Sequence, residues 1–591
     1  MDRSSILRVG VIAIALLLGY QFLWPKISGS GDKAQVTYAP EIPQLTAPGF
    51  VPDAADAPVK PGELNAPPEG DLCTIKGVRF EAQLSSRGAA LTHYFLTDAN
   101  YARSDAHDLS TTPQHERWRN LRTTFRGKDA ESQVKFDRFL WKLERSDADK
   151  AEKSCKFSYE DEDVRIVKTV AAHPTRAFEL TVDTQVTNLA STPKRHQLTM
   201  GMFAFRKNSE IKGSLGRVSP FQTELSCAVG NDVVRKGKDD FKAGMFTVAG
   251  VDRYAAVNSH YFSQALVPQP SSAEQGVVSD APTCGLLAEG WSLLAGQAID
   301  SDEAAAIYQA KLTYPAHELA PQTTATYRDI AFFGPKEREV LAHTAGGTPK
   351  LNELLNLGFF APVANVLVKI LDFIHDHITF GNWGLAIIAM TIALRSLLFP
   401  LTYKSIKTTI AMRRLKPEVD SLNVKFADDA QAKNLAMMEL WKKHGVNPFG
   451  GCLPQLVQMP VWFAMYTTLQ TAVEMYHEKF LWFSDMAAPD RFYILPLLLG
   501  FFMIVQQRIV PQQGMDPMQA KMMMYMLPAV FTVMMLFLPA ALGVYMLTNS
   551  LLGIGQQLAV ERIAPRGNEP KGIIVTEKGS PGNKKAKAAA S

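Results

Sequence analysis

The sequence has few of the residues on which metal sites and most enzymes depend. It contains five cysteines in 591 residues, with no CxxC pair and no His/Cys ligand cluster, which argues against a zinc or iron–sulfur site. A GxSxG turn, an HExxH helix and a glycine-rich phosphate loop are also missing. The net charge of +4 gives no reason to expect nucleic-acid binding. The sequence therefore predicts no metal or other cofactor and offers no enzyme motif.

Charge is missing from long runs in the second half of the chain. Residues 522–560 contain no charged residue over 39 positions, and one helix of that length would run about 58 Å, twice the hydrocarbon thickness of a bilayer. The run must fold back, and Pro539 lies near its midpoint. Eighteen of the 22 methionines lie between Met390 and Met546, which suits either a surface that adapts to apolar partners or flexible packing between helices.

Apolar runs predict six transmembrane helices with both termini in the cytosol. The first is an uncleaved anchor, because positive charge precedes an uncharged run and no A-x-A cleavage pattern follows. The Lys/Arg-rich segments 404–449 and 561–591 then face the cytosol. The predicted spans are 9–24, 381–403, 453–473, 492–507, 522–538 and 540–560.

Composition divides the chain into five regions. The second is a flexible linker, because eight prolines between Pro40 and Pro68 leave little apolar surface to stabilise a fold. The fourth is the helical membrane core. The regions are the anchor 1–27, the Pro/Ala-rich linker 28–70, a β-sandwich domain 71–346, the core 347–560 and a basic tail 561–591.

Alternating apolar and polar residues predict the β-sandwich. Residues 178–186, 197–205 and 324–333 alternate with a period of two, as half-buried antiparallel strands do. With a cytosolic N-terminus, this domain lies outside the cytosol, and its carboxylates and histidines are interpreted as a solvated surface. Every cysteine except Cys452 falls in it. Four cysteines allow three pairings, of which we predict Cys73–Cys155 and Cys227–Cys284.

Two other segments of the core are not predicted to span. Residues 350–377 have apolar residues at helical spacing, but Lys369 and Asp372 would be buried in a span, so an amphipathic helix in the membrane interface is predicted. Residues 404–449 predict a cytosolic helical hairpin, with helices at about 405–426 and 429–444. The hairpin is either a solvated connector or a docking surface.

Arg395 is the one charge within the predicted span 381–403. An arginine near the centre of a membrane helix costs roughly 2.5–3.5 kcal/mol on insertion scales. It either snorkels or pairs internally as a structural arginine, or it faces a water-containing cavity and meets anionic groups there. No carboxylate appears in another predicted span, which favours the cavity.

Further polar positions in the later spans point the same way. Gln455 and Gln458 lie three residues apart on one helical face and cost several kcal/mol unless satisfied. Thr391 shares a face with Arg395. We predict a polar groove among the helices, open to the cytosol and beside a methionine-rich wall. The polar positions are Thr391, Arg395, Gln455, Gln458, Tyr466, Thr467, Thr532, Tyr545, Thr548 and Asn549.

Four motifs carry a family resemblance: GNWGLAIIAMTIALR, RRLKPEVDSL, GVNPFGGCLPQLVQMPVWFAMY and VYMLTNS. Together they resemble the YidC membrane protein insertase family of the Gram-negative type, and AFFGPKE extends the resemblance into the β-domain. The resemblance implies five core helices plus the anchor, a periplasmic β-super-sandwich and a cytosolic hairpin. It implies that Arg395 is the groove arginine and that Thr391, Met459, Trp462 and Tyr545 line the groove or contact substrate. Met546 replaces an aromatic residue frequent in the family, which leaves an apolar role.

The resemblance also implies an activity that is not enzymatic. Family members insert and help to fold nascent proteins of the bacterial inner membrane without ATP, alone or with the Sec translocon and its accessory subunits. Implied partners are the ribosome, the signal recognition particle pathway and membrane lipid. Two alternatives remain. One is a secondary transporter with a small anion on Arg395, although no inverted repeat or second intramembrane carboxylate is evident. The other is a membrane-anchored glycan-processing enzyme with its site in the β-domain.

Overall fold

The computed structural model consists of a β-rich domain followed by a helical region. The predicted anchor 1–27, nearly all of the predicted linker 28–70 and the predicted tail beyond residue 563 lie outside the described residues. The structure describes residues 36–37, 70–98, 101, 108–111, 118–125, 140–144, 153–212, 219, 221–269, 276–292, 298–426, 429–446, 453–509 and 522–563.

The β-rich domain is built from short strands with tight turns between them. They are β1 (Val36–Thr37), β2 (Leu72–Gly77), β3 (Phe80–Ser85), β4 (Ala90–Leu96), β5 (Arg122–Phe125), β6 (Lys142–Glu144), β7 (Ser154–Glu160), β8 (Val164–Ala172), β9 (Glu179–Asn188), β10 (Lys194–His196), β11 (Leu198–Lys207), β12 (Glu224–Val229), β13 (Asp232–Lys236), β14 (Phe246–Val248), β15 (Tyr254–Asn258), β16 (Phe262–Pro268), β17 (Thr283–Trp291), β18 (Ala305–Thr313), β19 (His317–Leu319) and β20 (Thr324–Pro335). The three alternating segments noted in the sequence become β9, β11 and β20.

Two large antiparallel sheets pack face to face. One has the order β13-β12-β15-β16-β20-β9-β8-β7-β6, and the other has the order β1-β14-β17-β18-β11-β5. Strands β12, β15 and β16 of the first contact β11, β17 and β18 of the second. Buried apolar side chains such as Tyr254 and Tyr308 fill the space between them, because alternate side chains of each strand point to the same face.

Two disulfides tie the sheets together. Cys73 of β2, in the small sheet β2-β3-β4, is bonded to Cys155 of β7 with a Cα–Cα distance of 6.1 Å. Cys227 of β12 is bonded to Cys284 of β17 with a Cα–Cα distance of 6.3 Å. The second bridge crosses the core from one large sheet to the other. These are the two pairings proposed from the sequence.

The domain also contains buried ionisable groups. The interpretation of its carboxylates and histidines as a solvated surface is wrong for some of them, such as Asp329. Lys168 is fully buried and donates a 2.9 Å hydrogen bond to Thr123 Oγ1. Asp329 is also buried and accepts a 2.8 Å hydrogen bond from Tyr314. Burial lowers the pKa of Lys168 to about 7 and raises the pKa of Asp329 to about 7.

Most of the helical region follows the β-domain. Its helices, counted with the short α1 inside the β-domain, are α1 (Asn208–Ile211), α2 (Arg338–His343), α3 (Ala361–His377), α4 (Trp383–Leu397), α5 (Phe399–Arg414), α6 (Lys416–Lys425), α7 (Ala430–Lys443), α8 (Leu453–Thr471), α9 (Ile494–Ile509), α10 (Leu527–Met535) and α11 (Ala540–Ile563). A π-helical turn, Met522–Met526, leads into α10.

Two predicted helices have different bounds in the structure. The span 381–403 is not one straight helix, because α4 and α5 meet at an angle of 65°. Pro400, in the first turn of α5, lacks an N–H and disfavours a continuous helix. The amphipathic helix starts at Ala361 rather than residue 350, since Gly358 adopts φ +65° and interrupts the chain before it.

A helix must be both long and apolar to cross the hydrocarbon layer of a bilayer. Over the part of the chain that the structure describes, no individual helix combines the length and apolar character needed to cross a bilayer, whereas α4 and α5 meet both criteria as a bent pair. The predicted break at Pro539 appears as the gap between α10 and α11.

Helix α11 organises the helical region. It contacts α4, α5, α8 and α9, and its first seven residues are buried. The carboxylate of Asp490 fixes the start of α9, because it accepts hydrogen bonds from the backbone N–H groups of Phe492 and Leu495 at 3.0 and 2.7 Å. This arrangement brings polar residues of four helices to one place.

Candidate functional site

Helix α11 holds the guanidinium of Arg395, which lies in the last turn of α4. The Nε of Arg395 donates a 2.7 Å hydrogen bond to Oδ1 of Asn549, and Nη2 donates a 2.9 Å hydrogen bond to the backbone oxygen of Asn549. Nη1 donates a longer bond, of 3.4 Å, to Oε1 of Gln556. Asn549 and Gln556 are two helical turns apart, so they hold the guanidinium along one face of α11.

Helices α8 and α9 extend this polar cluster. Nε2 of Gln458 donates a 3.0 Å hydrogen bond to the Asn549 Oδ1 that also accepts from Arg395. On the next residue, Oγ of Ser550 donates a 3.1 Å hydrogen bond to Oε1 of Gln506. The cost of placing Gln458 among helices is thus offset by a partner within the protein.

The charge of Arg395 is not neutralised within the described part of the chain. Its hydrogen-bond partners there are amides, and none of the ion pairs found between described residues involves it. Amide oxygens orient a guanidinium but leave its positive charge intact. An anionic group that reached this place would meet a fixed and fully charged partner.

A cavity of about 340 Å³ lies beside the guanidinium. Its wall is polar on the Arg395 side and apolar elsewhere, and methionine and aromatic side chains make up much of the apolar part. The lining residues are Arg395, Gln458, Met459, Trp462, Phe463, Leu499, Met503, Gln506, Phe531, Met546, Asn549 and Ser550.

Six of the residues that the sequence analysis assigns to the groove meet in this cavity. They are Arg395, Gln458, Met459, Trp462, Met546 and Asn549. Thr391 and Tyr545 do not line it: Thr391 is buried, with its hydroxyl donating a 2.6 Å hydrogen bond to the backbone oxygen of Ile387, and Tyr545 is packed in the helical core. The side chain of Gln455 lies outside the described residues.

Sequence reasoning missed several residues of the cavity. Gln506 stands at the end of a predicted span, where a polar residue is expected, so it gave no signal. Ser550 gives little signal in the sequence, because the hydroxyl of a serine in a helix is often satisfied by the helix backbone. The apolar lining, which includes Met503 and Phe531, is indistinguishable in sequence from lipid-facing residues.

Two family models match the chain. The model described as "YidC periplasmic domain" matches residues 72–370, which is more than half of the chain. The model described as "60Kd inner membrane protein" matches residues 373–567. The chain belongs to the YidC family.

Curated relatives of this YidC-family chain have the name "Membrane protein insertase YidC". The chain is 38% identical to the protein of Anaeromyxobacter sp. (strain K) over 331 residues, which are 55% of this chain and 54% of that relative. The alignment thus spans about half the length of that relative. With the protein of Nitratidesulfovibrio vulgaris (strain DP4), identity is 29% over 578 residues, which are 95% of this chain and 100% of the relative.

One solved structure is also similar to this YidC-family chain. It is described as "Active YidC insertase crystal structure with the first transmembrane domain resolved", with 16% identity and a TM-score of 0.35, and the match covers 83% of this chain and 94% of that chain.

Proposed function

We propose that this protein inserts nascent membrane proteins into the bacterial inner membrane and helps them to fold. The observation that carries the proposal is the unneutralised guanidinium of Arg395 at the edge of a cavity with a largely apolar wall. The name shared by the curated relatives supports the same activity. The reaction makes and breaks no covalent bond and needs no cofactor, so the protein is not proposed to be an enzyme.

In the proposed mechanism the polar side of the cavity acts first and its apolar wall acts second. Arg395 attracts the short acidic segment of a substrate that must cross the membrane, because opposite charges attract more strongly in a partly buried site than in bulk water. The segment then has a shorter distance to cross in hydrocarbon. Meanwhile the apolar helix of the substrate moves along α8 and α9 into lipid, and the hydrophobic effect drives completion. Met459, Met503 and Met546 offer a wall that adapts to different side chains.

The proposal includes the finer topology predicted from the sequence. Six helices span the membrane, both termini are cytoplasmic, and the β-rich domain is periplasmic. The regions keep the boundaries 1–27, 28–70, 71–346, 347–560 and 561–591. Groove residues include Thr391, Gln455 and Tyr545 beside those that line the cavity. Small movements of α4 or α11 would expose Thr391 and Tyr545 to a substrate.

Proposed partners follow from the same mechanism. The hairpin at 404–449 and the basic tail receive precursors that arrive on the ribosome, through the signal recognition particle pathway, or free. The Sec translocon and its accessory subunits act beside the protein on some substrates, and membrane lipid accepts the inserted helices. Transport of a small anion is not favoured, because the relatives are named as insertases.

The test is insertion of a labelled single-span protein with an acidic translocated tail into proteoliposomes that contain the purified full chain. We expect Arg395→Ala to reduce insertion by about tenfold, the effect of losing one charge-assisted contact of roughly 1.5 kcal/mol. Arg395→Lys keeps the charge and should retain more activity.

Lys479→Ala is the matched control, because it removes an exposed cation outside the cavity. Equal insertion by wild type and Arg395→Ala would remove the electrostatic step from the mechanism. Anion counterflow in the same proteoliposomes, lost in Arg395→Ala while insertion is kept, would favour a transporter instead.

A further inference from the structure

Helix α3 presents three faces of different chemistry. One face packs into the helical core through Ala364, Leu367, Leu371 and Ile374. The opposite side divides into an exposed apolar stripe and a polar face, as the 3.6-residue repeat of a helix allows. The apolar stripe consists of Val366, Ile370 and Phe373. The polar face consists of Asn365, Lys369, Asp372 and Asp376.

The polar face of α3 lines a cavity of about 1000 Å³ between the helical region and the β-domain. Its other walls are the α2 segment and the turn at Glu474. The charged groups of those walls are engaged with each other: Arg338 pairs with Glu474 at 3.3 Å, and Glu337 accepts hydrogen bonds of 2.8 and 2.7 Å from the guanidinium of Arg79. The volume lies at the upper end of small-molecule sites, which are about 300–1,000 Å³.

Lys369 and Asp372 are different from these engaged groups. Their spacing of three residues makes them neighbours on the helix. Neither forms an ion pair or hydrogen bond with another residue in the described ranges. Asp372 is half-buried, and burial raises the pKa of its carboxyl even though the positive charge of Arg338 favours the ionised form, so the charge of Asp372 is compensated only in part. A ligand that placed a cation against Asp372 and an anion against Lys369 would compensate both charges.

We propose that this cavity binds the headgroup of a zwitterionic phospholipid, phosphatidylethanolamine. The ammonium group pairs with Asp372, the phosphate pairs with Lys369, and the acyl chains lie along Val366, Ile370 and Phe373. A lipid fits better than a soluble ligand because the polar face and the apolar stripe adjoin on one helix. The inference rests on the proposed function, since it requires α3 to lie in the membrane interface.

The charge of the cavity selects between headgroups. Six carboxylates line it, from Glu337, Glu339, Glu353, Asp372, Asp376 and Glu474, whereas its lysine and arginine residues are only Arg235, Arg338 and Lys369. Glu337, Glu353 and Glu474 are paired with Arg79, Arg253 and Arg338, and Arg235 is paired with Glu224. The remaining charges are the carboxylates of Glu339, Asp372 and Asp376 and the ammonium of Lys369. This remaining excess of negative charge disfavours an anionic headgroup such as phosphatidylglycerol and favours one that carries an ammonium group.

The test is native mass spectrometry of the full chain in detergent with equimolar phosphatidylethanolamine and phosphatidylglycerol of identical acyl chains. We expect retention of phosphatidylethanolamine over phosphatidylglycerol by about tenfold, and a similar loss of retention in Asp372→Asn and in Lys369→Gln, since each removes one charge-assisted contact. The matched control is Glu160→Gln with Arg165→Gln, which removes one exposed ion pair of the β-domain and should leave retention unchanged.

Equal retention of the two lipids, or unchanged retention in both variants, would overturn the proposal. Binding of a fluorescent oligolysine peptide that Asp372→Asn abolishes, without lipid discrimination, would also overturn it and assign the cavity to a basic peptide.

A parallel measurement separates this inference from the proposed function. A fluorophore at Phe373→Cys in nanodiscs should be quenched by a lipid-borne quencher. Absence of quenching would remove α3 from the membrane interface and so contradict the proposed topology. Quenching without discrimination between headgroups would overturn the headgroup site alone.

Discussion

Arg395 and Asn549 lie 154 residues apart in the chain and are joined by two hydrogen bonds, of 2.7 and 2.9 Å. One goes to the side-chain oxygen of Asn549 and one to its backbone oxygen, so the guanidinium is fixed in direction. Because the partner is an amide and not a carboxylate, the positive charge of Arg395 stays available to a substrate. The relationship separates two properties of Arg395 that mutation can test independently, its position and its charge.

Asn549→Asp should neutralise the positive charge of Arg395 while the guanidinium stays in place. A carboxylate at the Oδ1 position would form an ion pair with Arg395 and compete with the acidic segment of a substrate. We expect insertion of an acidic-tailed substrate into proteoliposomes to fall about as far as in Arg395→Ala, roughly tenfold, although Arg395 is still present.

Asn549→Ala provides the comparison, because it removes the side-chain bond and adds no charge. Its backbone oxygen still accepts the bond from Nη2, so we expect a smaller loss, about threefold. If Asn549→Asp inserts as well as wild type, the available charge of Arg395 is not what the substrate recognises.

Gly553 offers a steric test of the same position. A Cβ atom there would lie 3.1 Å from Nη2 of Arg395 and 3.5 Å from Nε2 of Gln506. Gly553→Val should therefore displace the guanidinium and lower insertion. Gly555→Val is the matched control on the same helix, since a Cβ atom at Gly555 meets nothing within 4 Å. Equal activities of the two variants in the insertion assay would mean that the position of Arg395 is not critical.

The sequence predicted those residues of the site that are energetically unfavourable in a membrane helix. Arg395 and Gln458 are expensive in a membrane helix, so a compensating environment had to exist, and the structure contains a cavity and a shared partner, Asn549. Thr391 shares a helical face with Arg395, but its hydroxyl is satisfied by the backbone of α4. Periodicity gives the direction of a side chain and not what packs against it, so its burial was not predictable.

In the β-domain, too, the sequence predicted the strands but not the residues that pack against them. Alternation predicted β9, β11 and β20, because a sheet buries one face of each strand. The same alternation contained an unused signal: Lys168 lies in phase with the buried Val164, Ile166 and Val170 of β8. Sequence alone could not show which partner makes that burial tolerable, since Thr123 comes from β5 in the opposite sheet.

Removal of the Cys227–Cys284 disulfide should destabilise the β-domain. The bridge links β12 to β17 across the core and closes a loop of 57 residues, and loss of a native disulfide typically costs about 2–5 kcal/mol. Cys227→Ser with Cys284→Ser should lower the thermal unfolding temperature of the full chain in detergent, and added reductant should then have less effect than on wild type. Cys452→Ser is the control and should behave as wild type. An unchanged unfolding temperature in the double variant would show that sheet packing alone holds the two layers.

Asp329 should make the stability of the β-domain fall as pH rises. Burial raises the pKa of this carboxyl to about 7, against an ordinary value of 3.8. Between these two pKa values the folded state binds the proton and the unfolded state does not, so the free energy of unfolding decreases from about pH 4 to about pH 7. Asn at this position needs no proton and can still accept the hydrogen bond from Tyr314. Asp329→Asn should therefore gain stability relative to wild type from pH 5 to pH 8, by on the order of a few kcal/mol at about 1.4 kcal/mol per pKa unit.

The measurement is chemical unfolding of the full chain in detergent at pH 5 and at pH 8. Tyr314→Phe sharpens it, because the tyrosine hydroxyl donates a 2.8 Å hydrogen bond that favours the charged carboxylate. Without that bond the pKa of Asp329 should rise further, and the decline in stability should extend to higher pH. Since Lys168 also favours the charged carboxylate, through its positive charge, Lys168→Met should shift the decline in the same direction. A stability difference between Asp329→Asn and wild type that is the same at pH 5 and pH 8 would mean that Asp329 keeps its ordinary pKa, and hence that water reaches the space between the two sheets.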